Sequence, residues 1–352
     1  MFGESWIFDA LPDFKTLPLG SRLGGDRFVD IGWHGESDER SGKGGKKKQP
    51  KESPRSHRSE NSCLLHLSLV TYKGTMLTVF YLGPEGTFSH ILARKKFGAR
   101  ARLRSCPTFE AIFDHVREEP GTLGLVPIEN SSGGTVYDSV DLLIRNAGRI
   151  FIHEELALDV RIALLGHQQT GITAVYSHFV QIKHHAEWLK TRYPKARLRE
   201  VSSTAVAAQK AAASQSAAAL ASPGAAEIYG LKVLEAPAVR QAVNVTHFFT
   251  IGSSDPSLPP ESARKKTGLV ATLPNVCGSL HRFLGPFARQ KVSLARIVSR
   301  PVPGQPQTYV FFLEIEGGPD DPPVARALVR AGVLAESMKT LGTYRADRRF
   351  KS

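Results

Sequence analysis

With 352 residues, of which 41% are hydrophobic, the chain is long enough for two or three domains, each with its own core. No apolar run approaches the roughly 20 residues of a membrane helix, and the start lacks a secretory signal, so we expect no membrane partner and a cytoplasmic location. The formal charge of +13 permits nucleic-acid binding, but the basic residues are spread along the chain without a nucleic-acid-binding motif, and we expect no such partner.

Residues 1–75 are typical of a disordered extension rather than of a domain. The stretch SGKGGKKKQPKESPRSHRSENS consists mostly of glycine, lysine, serine and proline, with almost nothing to bury. At Met76 the composition changes abruptly to MLTVFYLG, a β-branched and aromatic run. Met76 is therefore a candidate start of translation, and N-terminal mass spectrometry of the natural product would test this.

Residues 76–253 alternate between predicted strands and helices. The strands are the apolar runs TVFYL (78–82), TLGLVPI (122–128), RIALLG (161–166), ITAVYS (172–177), SAAALAS (216–222) and NVTHFFTIG (244–252). Helical patterns separate them, as between Val136 and Ile144, where apolar residues recur at helical spacing. This repeated order predicts an α/β domain with mainly parallel strand pairing.

A second, smaller domain follows a linker. Residues 254–265 are rich in proline, serine and charge, which is typical of a connecting segment. Residues 266–346 then show the order strand, helix, strand, strand, helix, strand. This order predicts a ferredoxin-like βαββαβ domain.

The stretch LVPIENSSGGTV places polar residues where a predicted strand ends and a helix begins. Ligands of open α/β sheets bind at such ends, and free N–H groups at a helix start favour a carboxylate or a phosphate. Asn130, Ser131 and Gly134 are the candidate residues here. An ordinary strand-to-helix turn with a serine cap is the alternative, and on local composition it is the commoner one.

Two similar places favour a binding site. GPEGTFSH puts Thr87 at a second strand-to-helix turn, and VSSTAVAAQ puts Ser203 and Thr204 at a third. Three hydroxyl-bearing helix starts on one domain can converge on a single cleft. The chain has no GxGxxG with a following acid, P-loop, HExxH or paired CxxC, and its three cysteines are scattered, so we expect neither a cofactor nor a metal.

Taken in order, several motifs resemble bacterial prephenate dehydratase. They are YLGPEGTFSH (81–90), GLVPIENSSGGTVYDSVDLL (124–143), YSH (176–178), SSTAVAA (202–208), AAEIYGL (225–231) and NVTHF (244–248). The second domain resembles the regulatory ACT domain of that family through residues 266–280, 292–301 and 341–345. The resemblance extends from Met76 to Arg345.

The resemblance implies an enzyme that converts prephenate into phenylpyruvate, water and carbon dioxide in phenylalanine biosynthesis. It implies a two-lobed, periplasmic-binding-protein-like catalytic domain, no cofactor, and a homodimer or homotetramer. The family's Thr-Arg-Phe motif supplies a catalytic threonine, which Thr246 matches. The substrate-binding residues implied are Thr87, Asn130, Ser131, Gly134, Ser203, Thr204, Ala205, His247 and Phe248.

Three departures from the family pattern fall near the implied site. His247 stands where the family has arginine; a protonated histidine would partly replace the charge, so activity would fall as His247 loses its proton. The alternative is that His247 points away from the substrate. Arg240 stands near the place of a usual acidic residue, and His184 stands where the family often has a glutamine near the cleft.

In the second domain the resemblance implies that L-phenylalanine binds between subunits as an effector. The matching residues are Asn275, Gly278, Ser279, Leu280, Ser299 and Arg300. Val298 replaces a family glutamate and Cys277 a proline, and the loss of the glutamate can change the turn or its response to phenylalanine. Two other functions stay open: arogenate dehydratase, and a non-catalytic amino-acid sensor of the same fold.

Overall fold

The structure is a computed structural model that describes residues 76–236, 244–256, 258–259, 263–302 and 304–352. The predicted disordered extension, residues 1–75, and Arg240 lie outside the described residues. All described residues belong to one compact unit, Leu67–Ser352. Within the described part of the chain, no helix is long and apolar enough to cross a membrane.

The first lobe is a mixed sheet flanked by helices. Its elements are β1 (Leu77–Leu82), α1 (Phe88–Phe97), a 3-10 turn (Gly98–Arg100), β2 (Ala101–Cys106), α2 (Phe109–Glu118), β3 (Leu123–Asn130), β4 (Gly134–Thr135), α3 (Tyr137–Arg145), β5 (Phe151–Asp159) and β11 (Val245–Gly252). The strand order is β5-β11-β3-β1-β2, with β4 paired to β3. Strand β1 runs parallel to β2 and β3, whereas β11 is antiparallel to β3 and β5.

The second lobe has its own five-stranded sheet. Its elements are β6 (Ala163–Gly166), β7 (Ala174–Ser177), α4 (Phe179–His184), α5 (Ala186–Arg192), β8 (Arg197–Glu200), α6 (Thr204–Ala212), β9 (Ala217–Ala221), α7 (Gly224–Tyr229) and β10 (Lys232–Glu235). The order is β10-β6-β9-β7-β8. Buried alanines of α6 and β9 form much of one core cluster, because small side chains let the helix lie close to the sheet.

Two crossing segments join the lobes. The chain leaves the first lobe after Asp159 and returns at Val245, and the backbone N–H of Val160 donates to the carbonyl of Asn244 at 2.7 Å. The return strand β11 enters antiparallel between β3 and β5. For this reason the mainly parallel pairing predicted from the sequence is wrong: parallel and antiparallel pairs occur in both lobes.

Residues beyond 264 form the predicted ferredoxin-like unit. Its elements are β12 (Lys265–Thr272), α8 (Ser279–Arg289), β13 (Leu294–Pro301), β14 (Tyr309–Glu316), α9 (Pro322–Leu334) and β15 (Ser337–Lys351). The strand order is β13-β14-β12-β15. Helices α8 and α9 cover one face through Phe283, Phe287 and Ala327. The other face packs on the first lobe, since Val270 and Phe312 share a buried cluster with Val126 and Ile128.

Strand β15 spans 15 residues and links the two sheets. Its first half pairs antiparallel with β12, from Ser337 to Arg345. Its second half pairs parallel with β5, where Lys351 lies opposite Asp159. A single ten-stranded sheet therefore runs from the ferredoxin-like unit into the first lobe.

Candidate active site in the interlobe cleft

A cleft of about 320 Å³ lies between the two lobes, within the size range of small-ligand sites. The first lobe contributes the start of α1, the end of β3 and the start of β11, and the second lobe contributes the starts of α4 and α6. The lining residues are Thr87, Phe88, Ser89, Pro127, Asn130, Gly133, Val160, His178, Val180, Gln181, Ser202, Ser203, Thr204, Asn244, Thr246 and Phe248. None of these described lining residues is a lysine or an arginine.

Thr246 lies in the cleft beside Asn130. Its register opposite Asn130 follows from the antiparallel pairing of β11 with β3. The Nδ2 of Asn130 donates hydrogen bonds to the Oγ1 of Thr246 and to the Oδ1 of Asn244, each at 2.8 Å. Because Thr246 Oγ1 accepts this bond, its own hydrogen stays available to a ligand, and an amide in this position can stabilise negative charge on the oxygen.

The turn after β3 serves Asn130 rather than a ligand. The Oδ1 of Asn130 accepts from the backbone N–H groups of Ser132 at 2.9 Å and Gly133 at 2.8 Å, which fixes the side-chain amide with its Nδ2 toward Thr246. The N–H of Ser131 donates to the carbonyl of Val245 at 2.9 Å. The N–H groups of Ser131, Ser132 and Gly133, at the turn where the sequence predicts an anion contact, are therefore already engaged within the protein.

Ser131 and Gly134 do not line the cleft. The Oγ of Ser131 accepts from the N–H of Val245 at 2.9 Å and so holds the start of β11 in place. Gly134 is exposed, has a φ of +79°, and pairs with Asn130 in the short strand β4. The positive φ accounts for a glycine at this position. Both residues support the position of Asn130 and Thr246 from outside the site.

Two helix N-termini face the cleft from opposite lobes. Thr87 caps α1 by accepting from the N–H of His90 at 3.2 Å, and Ser203 caps α6 by accepting from the N–H of Val206 at 3.1 Å. Thr204 also lines the cleft, whereas Ala205 is buried behind it. The positive ends of two helix dipoles thus point at one space, which suits a ligand with two anionic groups.

His247 does not reach the cleft. Side chains alternate along β11, so Thr246 and Phe248 face the cleft while His247 and Phe249 face the ferredoxin-like unit. The Nδ1 of His247 lies 3.1 Å from the Oε1 of Glu155 on β5. The position of His247 matches the predicted alternative of a side chain that points away from the cleft, and substrate binding by His247 stays a prediction.

A buried group of charges surrounds His247. Burial by itself raises the pKa of Glu155, but hydrogen bonds and charge from His247 and Lys266 outweigh it and lower that pKa to about 2. The Nζ of Lys266 lies 2.6 Å from Glu155, and Arg296 pairs with Glu129 and Glu314. These residues come from β3, β5, β12, β13 and β14, so the group ties the first lobe to the ferredoxin-like unit.

His178 and Gln181 are among the cleft residues that the sequence did not identify as site residues. His178 precedes α4, and burial lowers its pKa, so its imidazole is neutral at pH 7. Gln181, one helical turn later, is 9% exposed, and its Oε1 has no hydrogen-bond partner. His184, which the resemblance placed near the cleft, is exposed and does not line it. The YSH motif that ends at His178 was the signal that could have directed attention to this helix.

The predicted effector residues gather at one end of the ferredoxin-like sheet. Thr272 of β12 and Arg300 of β13 both pair with Val310 of β14, so the loop that follows β12 starts at the end of the sheet where Arg300 lies. That loop carries Asn275, which is exposed, and Gly278, whose φ is +76°. Ser279, Leu280 and Ser299 lie in this region, and the Oγ of Ser279 donates to the carbonyl of Val276 at 2.9 Å.

Arg300 already has a partner in the first lobe. Its Nε and one terminal nitrogen contact the two carboxylate oxygens of Asp141 on α3 at 2.6 and 2.8 Å, and the guanidinium lies 4.7 Å from the ring centre of Tyr137. An effector that uses Arg300 must share or displace Asp141. Val298 is buried opposite Phe312, so its side chain faces the apolar cluster between the units.

The fold and the site define a two-lobed α/β enzyme domain with a cleft suited to a small dianion, followed by a ferredoxin-like unit. Residues 79–256 match the protein family described as Prephenate dehydratase. The bifunctional chorismate mutase/prephenate dehydratase of Stutzerimonas stutzeri is 35% identical over 271 residues, which cover 76% of this chain and 73% of that protein. The prephenate dehydratase of Amycolatopsis methanolica is 33% identical, over 77% of this chain and 90% of that protein.

Solved structures agree with the sequence comparisons. Prephenate dehydratase from Arthrobacter aurescens, in complex with L-Phe, matches with a TM-score of 0.69 and 28% identity over 76% of this chain and 90% of that one. The enzyme from Staphylococcus aureus subsp. aureus Mu50 matches with a TM-score of 0.66 and 26% identity over 76% of this chain and 100% of that one. GqqA, described as a novel type of quorum quenching acylase, also matches, with a TM-score of 0.69 and 26% identity over 76% and 98% of the two chains. The chain belongs to the prephenate dehydratase family.

Proposed function

We propose that the interlobe cleft binds prephenate and releases phenylpyruvate, water and carbon dioxide, with Thr246 as the proton donor. The observation that carries this proposal is the hydrogen bond from Asn130 to Thr246 at 2.8 Å, inside a cleft with a helix N-terminus on each side. Because Thr246 Oγ1 accepts this bond, its hydroxyl hydrogen is free to be donated to a ligand, and the N–H group of Asn130 lies beside the oxygen.

The two carboxylates of prephenate suit the two helix starts. Thr87 and Ser203 cap α1 and α6, and each helix has further N–H groups in its first turn to offer to an anion. The cleft lining brings hydroxyl and amide groups but, among the described residues, no lysine or arginine. Dipoles and hydrogen bonds therefore hold the substrate, and they cost little reorganisation because the helices are already in place.

The reaction needs one proton and a correctly placed leaving group. Thr246 donates a hydrogen bond, and then its proton, to the ring hydroxyl as this departs as water. The bond between the ring and its carboxylate breaks at the same time, carbon dioxide leaves, and the electron pair completes the aromatic ring. The N–H of Asn130 stabilises the charge on Thr246 Oγ1, which regains a proton from water. Such acid catalysis typically contributes about 10²–10⁴-fold.

We propose further that the ferredoxin-like unit, residues 266–346, is an ACT regulatory domain that binds L-phenylalanine between subunits of a homodimer or homotetramer. The support is the relative from Arthrobacter aurescens, whose structure contains L-Phe, and the gathering of Asn275, Gly278 and Arg300 at one end of the sheet. A cytoplasmic location fits the free thiols of Cys106 and Cys277.

Phenylpyruvate release from prephenate by the full chain tests the catalytic proposal. Thr246→Val removes the hydroxyl and keeps the shape of the side chain, so turnover is expected to fall at least about 100-fold. Thr246→Ser keeps the hydroxyl and is expected to retain most of the activity. Equal activity of the valine and serine variants would exclude Thr246 as the donor. Arogenate, tested beside prephenate, distinguishes the two dehydratase reactions.

A further inference from the structure

Gln181 has an unusual position for a polar side chain. It lies on α4, lines the cleft, and is 9% exposed. Its Oε1 is buried and has no hydrogen-bond partner. Within the described part of the chain, no other cleft-lining residue has a buried side-chain polar atom that lacks a partner.

An unpaired buried amide is unfavourable, and native proteins rarely keep one without a reason. The other cleft amides show the contrast. Asn130 uses its Oδ1 for two backbone N–H groups and its Nδ2 for Thr246 and Asn244. Gln181 makes no such internal bond, so a bound ligand can supply the partner that its amide lacks.

The chemistry of the ligand indicates which group this is. According to the proposed function, the N-termini of α1 and α6 bind the two carboxylates, and Thr246 binds the ring hydroxyl. The remaining polar group of the substrate is the one beside the side-chain carboxylate, which is an oxo group in prephenate and an ammonium group in arogenate. An amide can serve either, because its Nε2 donates to an oxo group and its Oε1 accepts from an ammonium group.

We propose that Gln181 binds this group and is a specificity-determining residue of the cleft. The proposal rests on the proposed function, because it assumes that the other polar groups of the substrate are bound as described. Gln181 donates through Nε2 to the oxo group of prephenate. It accepts an ammonium group through Oε1 after a half-turn of the amide about its last torsion angle, because Oε1 is buried in the orientation seen.

His184 offers a matched control on the same helix. It lies three residues after Gln181, is exposed, and does not line the cleft. The contact that the family resemblance placed at position 184 is thus assigned to a residue one helical turn earlier. A substitution at His184 changes the same helix without changing the cleft.

The experiment compares Gln181→Leu, Gln181→Glu and His184→Leu in the full chain, on prephenate and on arogenate. Gln181→Leu is expected to lower kcat/KM for prephenate by roughly tenfold or more, since a buried hydrogen bond is lost. Gln181→Glu is expected to lower it further, because a carboxylate cannot donate to the oxo group and repels the dianion. In this variant the ratio of arogenate to prephenate kcat/KM is expected to rise relative to Gln181→Leu. His184→Leu is expected to stay within twofold of the unaltered chain.

Three results would overturn the assignment: Gln181→Leu within twofold of the unaltered chain, an equal substrate ratio in the leucine and glutamate variants, or a larger loss at His184. Thermal unfolding of each variant shows whether a loss of activity reflects a loss of folded protein.

Calorimetric binding of prephenate to Thr246→Val, with and without Gln181→Leu, separates this proposal from the catalytic one. If the unaltered chain binds prephenate but does not turn it over, the proposed function fails while the contact at Gln181 is still measured.

Discussion

His247 donates a hydrogen bond from its Nδ1 to the buried Oε1 of Glu155 across 3.1 Å, on the face of β11 opposite to its neighbour Thr246. The direction of the bond follows from the lowered pKa of Glu155, which keeps this carboxylate ionised and able only to accept. Two adjacent residues of one motif therefore have separate tasks: Thr246 belongs to the cleft, and His247 belongs to the contact between the first lobe and the ferredoxin-like unit.

Replacing His247 should affect stability more than substrate binding. His247→Ala leaves Glu155 buried with one hydrogen bond fewer, which we expect to lower the free energy of unfolding by about 1–3 kcal/mol. The KM for prephenate should change less than threefold, because the side chain does not line the cleft. Urea unfolding and steady-state kinetics measure the two quantities. A rise in KM of tenfold or more at unchanged stability would return His247 to the substrate.

Asn130→Asp separates the two tasks of Asn130. An aspartate can still accept from the N–H groups of Ser132 and Gly133, so the turn and the melting temperature should be kept. It cannot donate to Thr246 Oγ1 and instead accepts the hydroxyl hydrogen that the substrate needs. We expect kcat to fall by about 10²–10³-fold, as for the loss of one oxyanion-stabilising donor. Asn130→Ala should lose both kcat and melting temperature, and similar effects of the two variants on stability would contradict this division.

The stability of the protein should fall on acidification below neutral pH. Burial lowers the pKa of four histidines from the ordinary value of 6.5: His90, His153, His178 and His185. At pH values between the pKa in the folded protein and the ordinary value, the unfolded chain binds more protons than the folded one. The free energy of unfolding therefore rises with pH over this range, and it decreases as the pH is lowered from 7 toward 5. We expect the melting temperature to decrease over this interval.

His90 provides the specific test of this pH dependence. Its Nδ1 accepts from the N–H of Gly86 at 2.9 Å, so protonation would set two N–H groups against each other. His90→Asn can accept the same hydrogen bond but does not titrate, and it should make the fall in melting temperature between pH 7 and 5 shallower. His281→Asn, at an exposed position away from these four histidines, is the control and should leave the slope unchanged. An unaltered slope in His90→Asn would show that His90 does not contribute.

Deleting residues 346–352 should loosen the junction of the two lobes. This end of β15 pairs with β5 up to Asp159, and Ser352 accepts through its Oγ from the N–H of Arg161 at 2.8 Å, beside the crossing segment. Phe350 also packs against the core of the first lobe. We expect the deletion to lower the free energy of unfolding by about 1–3 kcal/mol, since a partly buried phenylalanine and a strand pairing are lost. We also expect it to raise KM, because the lobes lose a tether.

Phe350→Ala is the control for this deletion. It removes the apolar contact but keeps the strand, so it should lower stability by a similar amount while leaving KM near its original value. Urea midpoints and KM for prephenate, measured on both proteins, decide the matter. A deletion that behaves like Phe350→Ala in both quantities would show that the strand itself does not position the lobes.

Local patterns in the sequence predicted most of the elements. Strands such as TVFYL and NVTHFFTIG are β-branched and aromatic, and helix starts at Thr87 and Ser203 are marked by hydroxyl caps, so the backbone preference at these places is local. The βαββαβ order of the second unit was readable for the same reason. The strand at FIHEELALD was missed, because Glu154 and Glu155 interrupt its apolar pattern, and their partners, Lys96 on α1 and Lys266 on β12, are distant in sequence.

The sequence by itself therefore determined the order of strands and helices, the two-part organisation, and the motif residues Thr246 and Asn130, since each of these depends on neighbours along the chain. Only the tertiary structure decided which side chains face the cleft. The alternation of β11 requires Thr246 and His247 to face opposite sides, but which side is the cleft follows from the return of the chain between β3 and β5. The place of Gln181 rather than His184 in the cleft likewise depends on how the second lobe faces the first, because a cleft is formed by residues that are far apart in sequence.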